Sequence, residues 1–123
     1  MLEDVNAIIN AVCGIRVASI LPEYDIHRLV QQALDNSKIA YRHEAALEKG
    51  KRADFLVNRT AIEIKQGKPS KSLVQKQIAG YLQSDLIDDI VVITRRSLRL
   101  PAKIGAKQVF VLSLDRLWGV SLP

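Results

Sequence analysis

Three residues on one short hairpin are of types that could act together: Asp54, Glu63 and Lys65. In AIEIKQGK, residues 61–68, an extended backbone alternates its side chains. Ile62 and Ile64 then point one way, and Glu63 and Lys65 the other. The run RADFLV precedes it, joined to TAIEIKQ by Asn58-Arg59. A two-residue hairpin loop there sets Val57 opposite Thr60, Leu56 opposite Ala61, Asp54 opposite Glu63 and Arg52 opposite Lys65. Residues directly opposed share a sheet face with Cβ atoms roughly 5 Å apart, and two carboxylates so placed destabilise the strand pair. A compensating charge is needed. Lys65 and Arg52 could supply it as an exposed, solvated ion-pair cluster. A divalent cation could supply it instead, because magnesium takes carboxylate oxygens together with waters and substrate phosphates. Such a cation activates water and offsets charge developing on a phosphate, and a nearby lysine can position that water. The residue types suit metal-assisted phosphodiester hydrolysis.

The wider charge pattern points to a polyanion. The formal net charge is +5. Residues 48–76 carry Lys49, Lys51, Arg52, Arg59, Lys65, Lys68, Lys71 and Lys76 against only Glu48, Asp54 and Glu63. Residues 95–107 carry Arg95, Arg96, Arg99, Lys103 and Lys107 with no acid. Clusters of this kind suit a phosphate backbone; the alternative is a surface kept charged for solubility. Aromatic content is 5%, which argues against recognition of single-stranded RNA by base stacking. One cysteine, Cys13, excludes an internal disulfide framework and a cysteine-based zinc site. Its apolar surroundings predict a buried thiol. The acidic start MLEDVN does not read as a signal peptide, and no run has the length of a membrane span. These features fit a cytoplasmic protein with no membrane partner.

The elements that must position the hairpin follow from periodicity. The 123 residues fit one domain, residues 1–123. Val5, Ile8, Ile9 and Val12 predict a helix over 3–13, ended by Gly14. Ile26, Leu29, Val30 and Leu34 predict a second over 23–35. Strands are expected over 38–50, 52–57 and 60–66. A helix opens at Pro69-Ser70 and runs to about residue 85, with Val74, Ile78, Tyr81 and Leu82 inward. IVVIT (90–94), covered on both faces, and QVFVL (108–112) read as further strands. The chain then closes on a short turn or helix packing Trp118. The order α-α-β-β-β-α-β-β predicts an α/β fold, a mixed central sheet flanked by helices.

At these residues the chain resembles the PD-(D/E)xK nuclease superfamily. The motif stands here as Ala53-Asp54, eight residues, then Glu63-Ile64-Lys65; Ala53 replaces the usual proline. The resemblance extends over about residues 23–95, in the order helix, three-stranded antiparallel meander, helix, strand. Gln77-Ile78-Ala79-Gly80-Tyr81 is similar to the QxxxY motif of the RecB-like branch. Gln77 and Tyr81, four apart, share a helix face; the simpler reading is a core tyrosine with a rim glutamine. The superfamily often draws another acid from the helix before the meander. Glu23 looks like that residue, although it also suits a helix N-terminus, and Glu44 competes for the role. His27, one turn after Glu23, reads first as a partly buried structural histidine and second as a residue lining the site. His43 belongs to no motif.

The resemblance implies a restriction-endonuclease-like core and a magnesium-dependent deoxyribonuclease, with manganese as a substitute. The ligands would be Asp54, Glu63, the Ile64 carbonyl and Glu23. Lys65 would orient or deprotonate the attacking water, and Gln77 and Tyr81 would support the site or touch substrate. Arg52, Lys68, Lys71, Lys76, Arg95, Arg96 and Arg99 would hold DNA phosphates, which positions a backbone without reading its sequence. Three variants fit: a dimeric enzyme selective for DNA structure, a nuclease module targeted by a partner protein, and a broad DNA-processing enzyme of a phage or mobile element, with repair or recombination as the setting. The competing class is a non-catalytic DNA-binding or assembly subunit that keeps the fold.

Overall fold

The computed structural model describes residues 2–15, 23–65, 70–95 and 97–114, without the side chains of Leu2, Glu23, Tyr24, Asp25 and Lys49. Two amphipathic helices come first, α1 (Leu2–Cys13) and α2 (Glu23–Asn36). They are followed by β1 (Arg42–Ala46), a 3-10 turn (Glu48–Gly50), β2 (Arg52–Val57), β3 (Thr60–Lys65), α3 (Lys71–Tyr81), β4 (Asp89–Thr94), β5 (Lys103–Ile104) and β6 (Lys107–Ser113). The strands form one six-stranded mixed sheet in the order β1-β2-β3-β4-β6-β5. β1, β2 and β3 make an antiparallel meander. β3, β4 and β6 run parallel, and β5 returns antiparallel to β6. The α/β class and the mixed sheet stand as the periodicity predicts.

Helices cover both faces. Val5, Ile8 and Val12 of α1 and Ile26, Val30 and Leu34 of α2 pack against Phe55, Val57, Ile62, Ile64, Val91 and Ile93. On the other face, Val74, Ile78 and Tyr81 of α3 pack against Leu56, Ala61, Ile90, Val92 and Val109. β4 lies mid-sheet and is buried along its whole length, as its uninterrupted apolar run requires.

Several expectations need correction. The strand β5 was not anticipated, so the order ends β4-β5-β6. It forms a two-residue hairpin through Gly105-Ala106, with Ile104 opposite Lys107 and Gly105 in the left-handed conformation its turn requires (φ 64°). β1 is shorter than 38–50. Its start is taken by the close of α2, where Ile39 N–H donates to the Leu34 carbonyl (3.0 Å). Its end gives way to the 3-10 turn, across which Leu47 N–H reaches the Lys51 carbonyl (2.7 Å). α3 stops at Tyr81 instead of about 85, because Gln83 and Ser84 donate back to Gly80 and Tyr81 in a tighter winding. Cys13 is partly exposed, not buried. Trp118 lies outside the described residues.

Candidate active site

The register of the hairpin is the one its loop length dictates: Val57 opposite Thr60, Leu56 opposite Ala61, Phe55 opposite Ile62. Asn58 adopts φ 52°, a conformation asparagine tolerates, and its side chain donates to Asp4 of α1 (3.0 Å). Backbone pairing between β2 and β3 stops at Phe55. From there the carboxylates take over. Asp54 N–H donates to Glu63 Oε1 (3.0 Å), and Ile64 N–H donates to Asp54 Oδ2 (2.8 Å). Each acid thus accepts a backbone N–H from the opposing strand, in place of ladder bonds between Asp54 and Glu63. The expected pairing of Arg52 with Lys65 is not formed, because the ladder has ended.

The neighbouring strands twist at the same level. Phe55 and Val57 face α1 and α2, while Leu56 faces α3, as alternation demands. Alternation would put Ala53 with Phe55, yet Ala53 packs on the α3 side. Its neighbour strand does the same: His43 stacks on Phe55, whereas Ala45 joins the α3 cluster. The register places Glu44 opposite Asp54, between His43↔Phe55 and Ala45↔Ala53, and Glu44 has φ 49°. A non-glycine residue in the left-handed region is a point of strain. Both strands therefore change face at the level of Asp54, which opens the sheet beside Glu63.

The acids meet Lys65 and α3 on this face. Lys65 Nζ lies 3.4 Å from Glu63 Oε2, with side-chain exposures of only 17% and 5%, so the pair is not a solvated surface bridge. The Lys65 ammonium also donates to Gln77 Oε1. Gln77 Nε2 in turn donates to the Tyr81 hydroxyl (3.2 Å). The expected common face of Gln77 and Tyr81 is present, and it joins the hairpin in a continuous polar chain. Burial, and then the charge of Asp54, pushes the Glu63 carboxyl up to about 7, against the opposing pull of the Asp54 N–H and Lys65. Burial, and then the charges of Glu63 and Asp54, pushes the Tyr81 hydroxyl up to about 12, so it stays protonated at neutral pH.

This donor set fits a hard divalent cation. Asp54 Oδ1 has no partner among the described residues, and a buried carboxyl displaced to about 7 is one that an added positive charge would ionise. The N–H and C=O of a strand residue leave on the same edge. Ile64 gives its N–H to Asp54, so its carbonyl faces the same gap in the ladder. Among the described residues no three of His, Cys, Asp and Glu cluster closely enough to hold a metal by themselves. Glu44 is exposed and does not join the pair. The Glu23 side chain lies outside the described residues.

The basic residues fall into distinct groups. Lys65 pairs with Thr94, so Arg95, next in the chain, lies at the same end of the sheet as the acids. Lys103 and Lys107 lie at the other end, where Lys103 pairs with Gln108 and Gln108 with Asp89. The run from Asp89 to Thr94 separates the two ends by roughly 17 Å. The run 95–107 is therefore not one patch, and Lys107 Nζ donates to the Ser84 carbonyl (2.7 Å). Arg99 is exposed, and Lys71 and Lys76 are exposed on α3. Lys68 and Arg96 lie outside the described residues. His27 is partly buried, as the structural reading has it. It sits on the α1/α2 face against Phe55 (ring centroids 4.8 Å) and shares a 2.8 Å Nε2–Nε2 contact with His43, an association the sequence did not signal. No helix among the described residues is long and apolar enough to cross a membrane. Comparison with family models, with curated proteins and with solved structures finds no match.

Proposed function

We propose that the chain is a metal-dependent deoxyribonuclease with a restriction-endonuclease-like core. The observation that carries this reading is the Asp54–Glu63–Lys65 constellation, with Glu63 buried and its two partners half-buried. Two carboxylates are locked together at a break in the sheet, with an ammonium on the same face. Asp54, Glu63 and the Ile64 carbonyl would hold magnesium or manganese, with Glu23 as a further direct or water-mediated ligand. Bound there, the cation supplies an activated water and offsets charge on the phosphate.

The chain's own residues do the rest. Glu63 must lose its proton to act as a ligand, and a cation at the site would favour that loss against the effect of burial. Lys65 keeps its ammonium between Glu63 and Gln77, at hand for the attacking water or a phosphate oxygen. Gln77 fixes the direction of Lys65, and Tyr81 fixes Gln77. Arg95, at the same end of the sheet, and Lys71 and Lys76 on α3 offer phosphate contacts that set position without sequence preference.

A second reading has one observation in its favour: Lys65 already gives Glu63 a counter-charge from within the chain. On that reading the constellation is structural, and the protein is a DNA-binding or assembly subunit. Supercoiled plasmid incubated with the protein in magnesium and in EDTA separates the two. Nicking or linearisation only with magnesium supports the nuclease. Intact plasmid in both, together with no calorimetric signal for magnesium or manganese, supports the subunit.

A further inference from the structure

α3 carries a glycine, Gly80, in its last turn, where the helix would be about 1 kcal/mol more stable with alanine. The reason lies across the groove. A Cβ at Gly80 would take the place of the Lys51 ammonium, the movable end of a side chain that lies directly over the helix at that point and would have to shift aside. Lys51 is brought there by the 3-10 turn. Gly50 takes φ 74°, and the Lys51 backbone is held by the Leu47 N–H and the Glu48 carbonyl.

This ammonium opens onto a pocket of about 510 Å³ between the start of β2 and α3. Lys51, Arg52 and Lys76 line it and no acid does. None of the three cations has an ion-pair or hydrogen-bond partner among the described residues. Glu48 is on the other flank of Lys51, in a separate small cavity, and forms no ion pair with it. The remaining wall includes Gln77 and Tyr81, the same side chains that lead to Lys65. Three like charges lining one recess repel one another, and an anion entering it would relieve that repulsion.

We propose that Lys51, Arg52 and Lys76 form a phosphate subsite, with Gly80 as the gap that admits the Lys51 ammonium. Gln77 and then Lys65 connect the subsite to the carboxylate pair. It would hold a phosphate of the DNA strand that flanks the one at Asp54 and Glu63, through charge-assisted bonds to non-bridging oxygens. The subsite deepens the nuclease reading and rests on it for the identity of the polymer, but anion binding there is a property of these residues alone. The phosphate is either an internal diester or a terminal monoester.

Binding in EDTA tests this without cleavage. The probes are short fluorescent oligothymidylates, one 5′-phosphorylated and one 5′-hydroxyl, followed by anisotropy across a salt series. Lys51→Ala should weaken binding several-fold and reduce the salt slope by about 1. Gly80→Ala should weaken binding likewise while leaving the melting temperature equal or higher, which a merely structural glycine would not do. Lys103→Ala, at the far end of the sheet, should bind like wild type. A loss confined to the 5′-phosphorylated probe identifies a terminal phosphate; an equal loss on both identifies an internal diester. Wild-type affinity and salt slope in both Lys51→Ala and Gly80→Ala would overturn the subsite. If the subsite binds but plasmid is never cut, the nuclease reading fails alone; if plasmid is cut but neither variant alters binding, the subsite fails alone.

Discussion

The carboxylates of Asp54 and Glu63 are each bound to the backbone of the opposing strand rather than to each other. Asp54 N–H donates to the Glu63 carboxylate, and the Asp54 carboxylate accepts from the residue after Glu63. Two acids are thereby held side by side without the ladder bonds that would otherwise fill the gap between their strands. Lys65 flanks the pair on the Glu63 side, its Nζ 3.4 Å from Glu63 Oε2.

Removing either acid should abolish cleavage and spare binding. If the site is that of a nuclease, Asp54→Ala and Glu63→Ala each delete an acid beside the substrate phosphate, so DNA affinity should hold or rise. Anisotropy on labelled duplex with circular dichroism as a fold check measures this. Loss of DNA binding in both variants, with the fold intact, counts against the assignment.

Glu63 also makes the metal-free protein sensitive to pH in a defined direction. Its carboxyl titrates at about 7 in the fold and at the ordinary 4.5 when unfolded. Between those values the folded chain holds the extra proton, so stability is greatest below the window and falls as pH rises through 7. The loss is on the order of a few kcal/mol. Urea denaturation in EDTA at about pH 5 and pH 8 measures it against Glu63→Gln. Wild type should lose stability relative to the variant at the higher pH. A wild-type-minus-variant difference that does not change with pH would contradict the burial of an ionisable acid. Magnesium or manganese competes with that proton, so metal affinity should rise with pH until about 7 and then level.

Gln77 acts through Lys65. Gln77→Ala leaves the ammonium held by Glu63 alone and should lower kcat by about 10–100-fold, the range found for partners that orient the ligands of a metal site, with metal affinity unchanged. Tyr81→Phe removes only the hydroxyl that Gln77 donates to and should cost less. Calorimetry beside single-turnover rates separates the two effects. A larger loss in Tyr81→Phe than in Gln77→Ala would reverse the order of the chain.

How far the site was legible depends on which interactions are local. The register of β2 against β3 follows from a two-residue loop, so Asp54 and Glu63 could be brought together from the sequence. The amphipathic spacing of α1, α2 and α3 is equally direct. The face change at Glu44 and Asp54 was not legible: glutamate is an unremarkable strand residue, and its φ of 49° is imposed by the sheet around it. Lys103 and Lys107 read as one cluster with Arg95 along the chain, but β5 and β6 carry them to the far end. The role of Lys51 could have been suspected from one signal, a glycine inside the amphipathic run QIAGY.

That separation of cations makes its own prediction. Arg95→Ala with Arg96→Ala should weaken duplex binding and flatten its salt dependence. Lys103→Ala should do neither. Equal effects from the two ends of the sheet would mean that the footprint is not centred on the acids.

The most direct test is cleavage of labelled duplex, single strand, flap and four-way junction DNA in magnesium, manganese and EDTA, beside Lys65→Ala. On the nuclease reading, cutting requires metal and is lost in Lys65→Ala, which still binds DNA, and the preferred substrate shows which DNA structure the site accepts. Cutting that persists in Lys65→Ala at the wild-type rate, or no cutting of any DNA by a protein that binds no metal, would contradict it.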